Sequence, residues 1–191
     1  MKTLDQVEPR IPVSDANTLG NDTDHFVIAA AGSYYLTGNI AVSKTNGIHV
    51  TASGVTLDLN GFRISRSASN IGAGVLIDGA ANRCTVKNGT LISFAYGVQA
   101  TTQGGTLSEL AVSLTATSGL SVGDGWRVEN CTSHGNSGRG IATGNGCVMN
   151  NCLAYGNGGV GIVTALNCAL TNCTASGNLR NRNRSGNGNA C

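Results

Sequence analysis

One interval organises this chain. Gly47-Ile48, Gly74-Val75, Gly97-Val98, Gly119-Leu120, Gly140-Ile141 and Gly161-Ile162 recur along it, and their spacing settles at about 21 residues. A unit that short cannot enclose an apolar core alone, so successive units must stack and share one. The chain is therefore predicted to be a solenoid rather than a globule.

Stacked at this interval, the residues fall into columns. Val86, Leu107, Val128, Met149 and Leu170 are all apolar, as are Val98, Leu120, Ile141 and Ile162. Their neighbours Thr85, Thr106, Arg127, Val148, Ala169 and Lys87, Ser108, Glu129, Asn150, Thr171 are mostly polar. That alternation has period two, which is a strand with one face in and one out, and it excludes helices. Composition agrees, since 28 of 191 residues are Gly, charged residues are only 12% and aromatics 4%. Small and β-branched residues dominate the apolar set, so the core must be thin and layered.

Two further columns fall between strands. Asn88, Glu109, Asn130, Asn151 and Asn172 form one, and Gly135-Asn136, Gly156-Asn157 and Gly177-Asn178 form the other. Asn and Gly tolerate left-handed backbone, and stacked Asn amides can hydrogen-bond between layers, so each column reads as a turn repeated in register. The columns resemble a right-handed parallel β-helix of the pectin-lyase-like type with its asparagine ladder. "GSYYLTGNI", "NGIHV" and "GVTLDLNGFRIS" also resemble the opening module of bacterial extracellular β-helix repeat proteins. The resemblance implies an all-β, single-stranded right-handed parallel β-helix. Residues 1–35 are expected to be a leader and cap, with Phe26, Val27, Ile28, Tyr34, Tyr35 and Leu36 as apolar cover, residues 36–178 the helix, and 179–191 a basic Gly/Asn-rich tail.

The seven cysteines first suggest a metal site, because Cys147-x4-Cys152 and Cys168-x4-Cys173 approach a zinc-knuckle spacing. The interval accounts for them otherwise. Cys131, Cys152 and Cys173 share one inward column, while Trp126, Cys147 and Cys168 share another that also holds Cys84. Stacked core thiols are the expectation. Disulfides within a column stay open as an alternative, because adjacent layers bring Cα atoms within disulfide range. Cys191 belongs to no column.

For chemistry the sequence offers little convergence. Asp58, Asp78, Glu109, Glu129 and Asp124 read as isolated carboxylates. The acidic calcium clusters of pectate lyases, the paired aspartates of polygalacturonases and the Asp-Pro-His-Glu motif of mannuronan epimerases have no counterpart here. The local candidates are the outward column Ser113, His134, Tyr155, Ser176, with Arg127, Glu129 and Arg139 on neighbouring faces. His134, Arg127 and Glu129 are the candidate catalytic groups, and His134, Tyr155 and Arg139 the candidate binding groups.

A net charge of +2 without interleaved aromatics argues against nucleic acid, and no apolar run is long enough to span a membrane. No cofactor and no metal are called for. The expected role is a non-catalytic, secreted or cell-surface module with a structural and carbohydrate-binding or adhesive function. Two alternatives stay open: a subunit that stacks end to end on copies of itself, and a polysaccharide lyase or glycoside hydrolase acting on uronic-acid polymers.

Overall fold

A computed structural model describes residues 10–67 and 70–179. The leading strand β1 (Ile11–Pro12) precedes a first coil of β2 (Asp24–Ile28), β3 (Gly32–Tyr35) and β4 (Ile40–Val42). The second coil holds β5 (Asn46–Val50), β6 (Val55–Asp58) and β7 (Arg63–Arg66). In the third and fourth, two faces are covered by one long strand: β8 (Ala73–Ile77) with β9 (Cys84–Ile92), then β10 (Tyr96–Ala100) with β11 (Gly105–Ser113). The fifth holds β12 (Ser118–Val122), β13 (Trp126–Glu129) and β14 (Thr132–His134), and the sixth β15 (Arg139–Thr143), β16 (Val148–Asn150) and β17 (Leu153–Tyr155). The seventh holds β18 (Ile162–Thr164), β19 (Ala169–Thr171) and β20 (Thr174–Ser176).

These strands make a three-faced parallel solenoid. The first face is the seven-stranded sheet β2-β5-β8-β10-β12-β15-β18, and the other two share a 13-stranded sheet joined through β9 and β11. Val98, Leu120, Ile141 and Ile162 pair in register and are at most 1% exposed, and Val86, Leu107, Val128, Met149 and Leu170 likewise form one buried column. The inward columns expected from the interval are therefore the core.

The glycine that marks each unit has a steric cause. A Cβ on Gly74 would lie 2.8 Å from the Gly97 carbonyl oxygen, and one on Gly119 would lie 2.8 Å from that of Gly140. The first face is so tightly wound there that only a residue without a side chain fits. Trp126 uses the same device elsewhere, because a Cβ on Gly105 of the preceding coil would meet its ring at 2.6 Å.

Two expectations are corrected. Asp24, Phe26 and Tyr35 pair in parallel with Asn46, Ile48 and Asp58, so the winding begins at Asp24, not near residue 36. β2 and β3 are therefore first-coil strands, and among the described residues the preceding strap, with Val13 and Thr18 buried, lies over the end. This coil hid because His25 occupies the position of the marker glycine.

The second correction concerns the asparagines. Asn88, Asn130, Asn151 and Asn172, with Glu109, sit at φ of 51–58°, and they turn the chain between the second and third faces. They face solvent wholly or in part; Asn151 donates to the Asn130 amide oxygen at 2.8 Å. The buried ladder is the other column. Asn136 donates from its amide to Asn157, and Asn157 to Asn178, each at 2.8 Å, and the backbone N–H groups of Asn136 and Asn157 donate to the same oxygens. Thr115 continues it, its N–H donating to Asn136 Oδ1 at 2.9 Å. Each amide satisfies backbone that the turn would otherwise bury unpaired.

The thiols stack as the interval implies. Cys131, Cys147, Cys152 and Cys168 are at most 3% exposed, and the six described cysteines are free. Trp126 N–H donates to Cys147 Sγ at 3.3 Å, and Cys147 N–H to Cys168 Sγ at 3.4 Å. Burial pushes the Cys84 and Cys147 thiols up, while contact with Cys131, together with burial, pushes Cys152 up to about 12. Such thiols are poor nucleophiles and serve as packing. Cys191 and most of the basic tail lie outside the described residues.

Candidate functional site

The outward column on the third face starts at His134, because Ser113, read as its first member, is buried. Ser133 and Ala154 point inward and are fully buried, so period two turns His134 and Tyr155 outward. Ser113, His134, Tyr155 and Ser176 pair in register across four coils. The His134 and Tyr155 rings stack with centroids 4.9 Å apart and planes at 7°. Beyond Tyr155 the next position is Ser176, whose small side chain leaves the far face of the tyrosine ring uncovered by another ring. Tyr155 is 40% exposed.

The chain turns immediately after these rings. Gly135 and Gly156 take left-handed φ of 61°, and the chain then re-enters the first face. On that side of the corner lies an open groove of about 550 Å³, bounded by Thr117, Ser118, Arg139, Val160 and Val163. Gly138, Gly158 and Gly159 also line it. Side chains are excluded at these positions, since a Cβ on Gly159 would sit 2.8 Å from the Gly138 carbonyl oxygen. The exposed Arg139 guanidinium is the one charged group on the lining, and among the described residues it has no hydrogen-bond or ion-pair partner. The corner between the third and first faces thus presents stacked rings on one side and a cation over a glycine groove on the other.

The remaining candidates do not join this corner. Arg127 and Glu129 stand on the second face, where they pair with each other at 3.3 Å in an exposed ion pair. Among the described residues no hydrogen bond or ion pair connects either of them to His134. The left-handed turn at Asn130 separates Arg127 and Glu129 from His134 on the neighbouring face.

Asp58, like Glu129, has basic partners. Asp58 lies against Lys87 at 3.6 Å and Arg10 at 3.4 Å, and Arg10 also lies over the Tyr35 ring at 4.7 Å. This cluster ties the strap to the second face.

The larger omission is at the first face. His49 Nδ1 is 2.9 Å from Asp24 Oδ2, and its Nε2 is 2.7 Å from Asp78 Oδ1. Asp24 is 3% exposed and also accepts from Asn46 and Asn21, each at 2.8 Å. Burial would raise Asp24, but hydrogen bonds from Asn46, His49 and Asn21 bring its pKa below the usual carboxylate value. Burial likewise opposes a charged His49, yet the carboxylates of Asp78 and Asp24 outweigh it and hold the ring's pKa above its usual value. The three residues are 25 and 29 positions apart, and the early coils are longer than the later ones, so no fixed interval aligns them. The available signal was the succession of Asp24, His49 and Asp78 on consecutive turns of one face.

A family model described as a right-handed beta helix region matches residues 73–188, more than half of the chain. No curated protein and no solved structure gives a match.

Proposed function

Given that the chain belongs to the right-handed β-helix family, we propose that it is a non-catalytic module, secreted or displayed at a cell surface, that holds carbohydrate at the corner formed by His134, Tyr155 and Arg139. The observation that carries this reading is the stacked pair with the exposed Tyr155 ring, followed along the chain by a turn and then by the groove that Arg139 lines. An aromatic ring offers an apolar platform to the C–H face of a sugar. A groove of that size is within the range used for small ligands, and the exposed Thr117 with the half-buried glycine backbone supplies hydrogen-bonding groups. The single cation favours a sugar that bears an acidic group.

A glycan array tests this reading. The wild-type chain is expected to retain a defined set of glycans, Tyr155→Ala to lose them, and Arg139→Gln to lose acidic members more than neutral ones. Retention unchanged in both variants would overturn the reading. Both side chains are exposed, so folding should be preserved, which circular dichroism checks.

A further inference from the structure

The contacts at His49 have a consequence that depends on protonation. Both ring nitrogens face carboxylate oxygens, at 2.9 and 2.7 Å. Only the doubly protonated ring can donate at both, because a neutral imidazole carries one N–H and one lone pair. We infer that Asp24, His49 and Asp78 form a clamp that ties the first three coils together while His49 is charged and lets go of Asp78 when His49 loses its proton.

The geometry also says which side gives way. Asp24 lies in the first coil, nearly buried and held by Asn21 and Asn46, so it cannot turn to water. The Asp78 side chain is 40% exposed and stands at the start of the corner leading from β8 to β9. Without the proton on Nε2, Asp78 faces a lone pair, and it rotates into solvent. The corner after it then keeps its remaining backbone ties, such as Asp78 N–H to Val50 at 3.4 Å.

Few other charges bear on the ring. His49 is the only titratable group on β5, whose neighbours are β2 and β8. β2 contributes Asp24 and His25, β8 has none within its span, and Asp78 follows it. His25 packs edge-on against Phe26 at 4.8 Å, and burial, then Lys44, pushes its pKa below the usual value.

The pH window follows from the two directions. His49 is raised above 6.5, so its stabilisation is complete below that value and is lost as pH rises through the folded pKa. Asp24 is lowered below 3.8, so its stabilisation is complete above that value and is lost as pH falls through the folded pKa. The clamp is whole between these limits, at mildly acidic pH.

Nitrogen NMR of histidine-labelled full-length protein, with His49 assigned through His49→Gln, tests the inference. Both His49 nitrogens should be protonated at pH 6.5. The titration should move to lower pH in Asp78→Asn. In urea unfolding, Asp78→Asn should be less stable than wild type at mildly acidic pH and equal to it once His49 has titrated. A neutral His49 ring in mildly acidic solution, a titration unmoved in Asp78→Asn, or a stability difference that ignores pH would each overturn the clamp. The NMR readout on the wild type stands even if a variant folds poorly.

Discussion

The marker glycines and the buried amides restrain one another. A Cβ on Gly140 would come within 2.9 Å of Ala154 Cβ and 2.8 Å of Asn157 Nδ2, besides striking the Gly161 carbonyl. Gly140→Ala should therefore cost about 3 kcal/mol in denaturant unfolding, the upper range for overpacking. Asn157→Ala should cost a similar amount, about 3 kcal/mol, because it strips an acceptor from Asn136 and a donor from Asn178 and Ser133. An effect below about 0.5 kcal/mol, the size of a neutral surface change, would show that neither contact holds the winding. The glycines were legible because the repeat displays them. Which asparagine column lies inside was not: Asn130 and Asn136 recur with equal regularity, and only the direction of the turn separates a solvent corner from a buried rung.

At the level of strands, alternation divides each element into an inner and an outer set. Ile141 is fully buried in β15, while Asn150 in β16 faces solvent. Ile141→Asp should unfold the protein or cost more than about 4 kcal/mol, since it buries an unpaired charge, whereas Asn150→Asp should stay within about 0.5 kcal/mol of wild type. Comparable losses at both positions in thermal melts would refute the register. The later coils could be read from the sequence because their interval is constant. The first coil could not, since His25 replaces the glycine and the next coil is longer, and the same irregularity concealed the Asp24, His49 and Asp78 group.

The molecule as a whole is a rod built from a single winding. Seven coils at about 4.8 Å each give a stack roughly 30 Å tall with three flat faces. Parallel stacking repeats one position from coil to coil, which suits presentation of a row of groups better than convergence of acid, base and nucleophile in one cleft. The column of His134 and Tyr155 was legible for that reason, and the groove beside Arg139 was not, because glycines that exclude side chains look in sequence like any other turn. The proposed role of this rod is to hold carbohydrate at that corner without transforming it. One incubation tests it most directly: the purified chain with a polymeric glycan it retains, followed by chromatographic separation of bound polymer from soluble products. Polymer should be held at unchanged length and released in Tyr155→Ala, whereas short saccharides accumulating with time would overturn the proposed role.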